Sequence, residues 1–132
     1  MPERPPPFRS WNGLEPHEFA EGVRLLAIGG EQVLLCRVTY EPGKRIPLHR
    51  HEAAEQVMAI VDGEVDMTIE GEAKTLRAGD VVVVNRGLEH ELYSPGGVTF
   101  FEALSPVPRD HVPDPERDLV LGREGGALHV ER

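Results

Sequence analysis

Residues that force or favour turns recur along this chain at intervals too short for anything but strands between them. The signals are Glu41-Pro42-Gly43, Asp62-Gly63, Glu70-Gly71-Glu72, Ala78-Gly79-Asp80, Asn85-Arg86-Gly87 and Ser94-Pro95-Gly96-Gly97. Each joins a residue that sets turn geometry to a glycine that takes positive φ without steric cost. Between them lie short runs rich in Val, Ile, Leu and Thr, over residues 23–28, 33–40, 56–61, 64–70, 81–84 and 98–104. Many short strands between closely spaced turns predict an all-β sandwich or barrel. Run 64–70 alternates, with Val65, Met67 and Ile69 between Glu64, Asp66, Thr68 and Glu70, so one of its faces should be wet. Runs 56–61, 81–84 and 98–104 are apolar on both faces; 81–84 is therefore expected to be buried or at an interface. Helical periodicity is absent, with at most one turn over residues 16–20.

The chain divides into a proline-rich arm (1–20), a barrel (21–105) and a proline-rich extension (106–132), which packs on the barrel or on a partner. Runs 119–121 and 127–130 are candidate edge strands in that extension. The length of 132 residues suits one domain with a core of ordinary size. Fourteen Lys and Arg against 23 Asp and Glu give a net charge of −9, which disfavours nucleic acid as a partner. No basic amphipathic helix and no apolar run of about 18 residues points to a membrane. The N-terminus lacks the apolar core of a signal peptide, so the expected location is cytoplasmic. Cys36 is the only cysteine, which excludes an intrachain disulfide and suggests a small core residue.

Chemistry concentrates in two segments. The first runs from Gly43 through His49, His51, Glu55 and Gln56 to Gly63. Residues two apart on a strand share a face, so His49 and His51 aim two imidazoles at one point. The second runs from Gly79 through Asn85 and Gly87 to His90, a third imidazole just past a tight turn. Imidazole nitrogens suit divalent transition metals.

These segments resemble the paired motifs of the cupin superfamily, G-x5-H-x-H-x(3,4)-E-x6-G and G-x5-P-x-G-x2-H-x3-N. Gly43, His49, His51, Gly63, Gly79, Gly87 and His90 stand where the motifs require. Gln56 occupies the usual Glu position, Asn85 replaces Pro and Ser94 replaces Asn. The resemblance implies an antiparallel jelly-roll β-barrel holding one divalent transition metal (Zn, Ni, Fe or Mn) through His49, His51, Gln56 and His90. A one-residue slip in register would offer Glu55 instead of Gln56, at the expense of the spacing to Gly63.

Phe100, Glu102 and Leu104 share one strand face; if it faces inward, Glu102 is a carboxylate beside the metal and a candidate general base. The stretch from Glu102 through Ser105-Pro106 to Arg109 is similar to the end of the barrel in small cupins that process unsaturated uronates from pectin and alginate breakdown. By that resemblance Glu102 is the acid and Arg109 grips a substrate carboxylate. Leu104 replaces an aromatic and Glu102 an Asp.

The function expected is therefore Lewis-acid-assisted tautomerisation or isomerisation of a small anionic, sugar-like acid. An Fe(II)-dependent dioxygenase and a non-catalytic small-ligand-binding module are the alternatives. His17, His111 and His129 lie outside both motifs and read as surface residues, Tyr40 and Tyr93 as packing residues, and Trp11 as cover for an apolar edge. Two-sided apolar strands in so short a chain lead us to expect a homodimer with an isologous interface.

Overall fold

A computed structural model describes residues 7–107. Among the described residues it contains nine strands and no helix. These are β1 (His17–Ala20), β2 (Val23–Gly29), β3 (Leu34–Tyr40), β4 (Lys44–His49), β5 (Glu55–Ile69), β6 (Glu72–Arg77), β7 (Val81–Val84), β8 (His90–Ser94) and β9 (Val98–Ser105). All pairings are antiparallel. One layer has the order β1-β2-β3-β9-β5-β7 and the other β4-β8-β5-β6. The two curl into a nearly closed jelly-roll barrel, the class expected.

Strand β5 belongs to both layers. Its first half pairs with β9 and β7, its second with β6 and β8. The switch falls at Asp62-Gly63, which reads as a turn in sequence but lies inside one strand of 15 residues. Gly63 allows this bend. Its φ is 79°, and an added Cβ would stand 2.2 Å from the Gly97 carbonyl oxygen. The register of β5 against β9 shifts just before it, between Ile60 and Asp62, as at a bulge that turns a barrel corner.

Two other local readings change. The turn expected over residues 16–20 is the edge strand β1, because its backbone pairs with β2 (His17 opposite Leu25) and Phe19 packs against the core. In β7 only Val84 is buried; Val81 is 63 % and Val83 49 % exposed. Burial, one of the two expectations for this run, is therefore excluded for Val81 and Val83. The alternation of 64–70 holds, with Val65 and Met67 buried and Glu64 and Asp66 exposed.

The core fills the space between the layers with Leu25, Leu34, Val38, Ile60, Val65, Leu92 and Phe100. Each such side chain contributes about 1.5–3 kcal/mol by leaving water. Tyr40 packs on Phe100 with ring centroids 5.7 Å apart, and Trp11 lies over Phe101 on the outer surface at 6.1 Å. Cys36 is a fully buried free thiol, and burial together with the nearby Glu102 charge pushes its pKa up. The expected edge strands at 119–121 and 127–130, together with His111, His129 and Arg109, lie outside the described residues.

Candidate metal centre

Strands β4 and β8 bring the histidines together. His49 and His90 are register partners, and an irregularity after Ile46 lets the strand carry Pro47. His51 follows β4 by two residues. Its carbonyl accepts the Gly87 N–H at 2.8 Å, which ties the turn of the second segment to the first. Gly87 has φ of 80°, the left-handed region that glycine enters most easily.

The three rings form a close triangle. Centroids lie 4.2 Å apart for His49 and His90, 5.2 Å for His49 and His51, and 5.4 Å for His51 and His90. One nitrogen from each comes within 4.8 Å of the others, close enough to converge on one ion.

Backbone carbonyls set two of the tautomers. His49 Nδ1–H donates to the Pro47 carbonyl at 2.7 Å, and His90 Nδ1–H to the Leu88 carbonyl at 2.9 Å. A carbonyl only accepts, so Nδ1 carries the proton and Nε2 the lone pair that a metal needs. His90 is fully buried, and burial, followed by repulsion from His51, outweighs the Leu88 hydrogen bond and holds its pKa below the usual histidine value. It is thereby kept neutral, the form that ligates.

The register places Gln56 inward, 4 % exposed, while Glu55 faces solvent. Glu102 is 7 % exposed and also inward, sharing its face with Phe100 and Leu104 as the period of two requires. Gln56 Nε2–H donates to Glu102 Oε2. Among the described residues, two buried side-chain polar atoms have no hydrogen-bond partner: Gln56 Oε1 and His90 Nε2. An unmatched buried acceptor is costly, and a cation could satisfy both of these at once. The donor set of three imidazoles and an amide oxygen fits a divalent transition metal.

His49, His51, Gln56 and Glu102 line one cavity of about 30 Å³, whose remaining wall is largely apolar, including Val23, Val38, Ile46 and Phe100. This is room for an ion with a water or two, not for a whole sugar ring. Phe19 of β1 also lines it, a contribution that sequence reasoning missed because β1 did not read as a strand. Ser94, at the motif's usual Asn, is fully buried and donates from Oγ to the Glu64 carbonyl at 2.6 Å, so it fastens β8 to β5.

The sequence from residue 36 to 103, more than half of the chain, matches the family model described as Cupin domain. The chain is a cupin. Among curated proteins it is 40 % identical over 63 residues to germin-like protein subfamily 2 member 4 of Arabidopsis thaliana, a match over 44 % of this chain and 29 % of that one. This cupin thus spans less than a third of that relative's length. Among solved structures it superposes on an RmlC-like cupin from Shewanella frigidimarina with a TM-score of 0.76 and 23 % identity, covering 83 % of this chain and 98 % of the other. It superposes on KdgF from Halomonas sp. with a TM-score of 0.69 and 20 % identity, covering 73 % and 89 %. At these identities the two structures establish the barrel.

Proposed function

We propose that this cupin is a metal-dependent enzyme that tautomerises or isomerises a small anionic, sugar-like acid. The observation that carries the reading is Glu102, a buried carboxylate hydrogen-bonded to Gln56 on the cavity wall that His49 and His51 share. His49, His51, His90 and Gln56 would hold one Zn, Ni, Fe or Mn ion. Such an ion, when bound, supplies Lewis acidity toward a carbonyl or hydroxyl oxygen.

The chain's own groups do the rest. Glu102 accepts the proton of a substrate hydroxyl at its carboxylate and returns it to carbon, so an enol becomes a ketone with no net change in atoms. Arg109, four residues past Ser105, would pair with the substrate carboxylate in a bidentate contact. Because the cavity admits only a few atoms, the substrate places its reacting end inside and its remainder at the barrel mouth, toward the part-exposed His49. The apolar wall keeps water from competing. The test is spectroscopic. Metal-loaded protein should accelerate loss of the conjugated-alkene absorbance of an unsaturated monouronate, and Arg109→Ala should raise KM. No acceleration on a panel of unsaturated uronates retires the assignment.

One observation supports a second reading. A cavity of about 30 Å³ with an apolar wall suits a diatomic ligand, as an Fe(II) dioxygenase requires. Oxygen uptake that depends on added Fe(II) and an organic acid would favour it.

The proposal extends to assembly. The outer face of the β9-β5-β7 layer sets Ala103 opposite Val57, Val57 opposite Val83 and Ala59 opposite Val81, an uncharged block ending at the edge strand β7. With Leu35 opposite Ala103, the exposed Leu35, Val57, Val81 and Val83 extend this apolar block across the layer to β3. A second copy related by a two-fold axis would cover it.

A further inference from the structure

The orientation of the Gln56 amide has a cause in the next strand. Gln56 is the register partner of Leu104, and Glu102 that of Met58, so the two side chains are diagonal neighbours on the inner face of the β5-β9 pair. An amide can present either its oxygen or its nitrogen to the cavity. An ionised carboxylate only accepts hydrogen bonds. Glu102 therefore draws the Gln56 nitrogen toward itself and turns Oε1 away, and Oε1 is the atom left without a hydrogen-bond partner.

We propose that Glu102 is a positioning residue for Gln56, and that residues 56 and 102 form one unit holding a single carboxylate for the metal site. This rests on the reading that His49, His51, Gln56 and His90 bind a metal. The usual cupin motif puts its carboxylate at position 56. Here the amide stands there, and the carboxylate is one hydrogen bond further out, at Glu102. The pairing explains the substitution. A Glu at 56 would set two carboxylates against each other in a buried place, whereas an amide matches Glu102 on one side and a cation on the other. It also revises the charge of the site. The four ligands are neutral, but the Glu102 carboxylate lies one hydrogen bond from the Gln56 amide, on its nitrogen side. Supporting groups that orient a ligand are worth about 10- to 100-fold in metal affinity.

An exchange of the two residues tests the unit. Zn2+ affinity is measured by competition with a chromophoric chelator, and melting of the metal-free protein by circular dichroism. The proteins compared are wild type, Glu102→Ala, Gln56→Glu, Glu102→Gln and the double exchange Gln56→Glu/Glu102→Gln. We expect Glu102→Ala to bind Zn2+ about 10- to 100-fold more weakly at unchanged 1:1 stoichiometry. Gln56→Glu should lower the metal-free melting temperature, and the double exchange should restore both melting and Zn2+ binding. Two results overturn the proposal alone: wild-type affinity in Glu102→Ala, or a double exchange whose effects equal the sum of its singles. Should Glu102→Ala fail to fold, the exchange cycle still decides. Wild-type protein that binds no Zn2+ overturns the metal reading together with this one.

Discussion

The two faces of strands β5 and β9 invert the ordinary rule of burial. Inward, Met58, Ile60, Phe100 and Leu104 share their face with Gln56 and Glu102, two polar groups held almost out of water. Outward, Val57 and Val61 stand exposed where polar residues would be expected. The same residue period produces both faces, so fold alone requires neither exception. Polar groups inside, matched to each other at the Gln56–Glu102 hydrogen bond and leaving Gln56 Oε1 and His90 Nε2 without partners, form a site that could hold a cation. Apolar groups outside, aligned across strands, are the basis of the proposed interface with a second copy. Each exception separates what the barrel needs from what the molecule does.

Removing a donor from the inner face should have the largest effect. His90→Ala deletes a buried ring whose Nε2 lacks a partner. Metal content, measured by elemental analysis, should fall from about one ion per chain to near zero. Retention of a full equivalent would break the contrast, because the inner polar groups would then need another explanation.

Adjacent leucines on β3 sharpen it next. Leu34 is fully buried, and Leu35, its neighbour, is 40 % exposed. Leu34→Ala should cost about 2–5 kcal/mol in denaturant unfolding, through lost burial and the cavity left behind. Leu35→Ala should cost under about 1 kcal/mol in dilute protein. Equal losses would mean that the outer face is as covered as the inner one.

The outer face is then tested by assembly. Light scattering should give a mass of about twice 14.6 kDa for the wild type, and Val81→Lys should return it to the single-chain value. A monomeric wild type at micromolar concentration removes the interface from the account.

The smallest effect is one of pH. His90 has a folded pKa below its unfolded value, chiefly because of burial. Between the two values the unfolded chain binds more protons, so stability rises with pH there. The metal-free protein should lose stability as pH falls from about 7 through the unfolded pKa of about 6.5, with the loss ending below the folded value. Chemical denaturation at a series of pH values checks this, and His90→Gln should flatten the slope.

Much of this was readable in the chain, for identifiable reasons. The period of two places His49 with His51, and Glu102 with Phe100 and Leu104, whatever the rest of the fold does. Spacing to Gly63 selected Gln56 over Glu55, and the strand register turns Gln56 inward. What sequence could not show depends on contacts between distant strands. The Gln56–Glu102 hydrogen bond joins residues 46 apart in sequence through the diagonal of a sheet. Strand β1 was hidden because its pairing with β2, not its own four residues, makes it extended. Strand β5 reads as two runs because Asp62-Gly63 is a turn signal in most settings. Only the close approach of Gly97 shows that this glycine bends a strand instead of ending one.

Everything proposed for the inner face depends on four side chains from two barrel segments converging on one divalent cation. Crystals soaked in Zn2+ or Ni2+, with data collected at the metal's absorption edge, test it most directly. One strong anomalous peak per chain is expected, about 2.0–2.2 Å from His90 Nε2, within bonding distance of Gln56 Oε1, and ringed by His49 and His51. A peak on the exposed Glu55 carboxylate, or none inside the barrel, would contradict it.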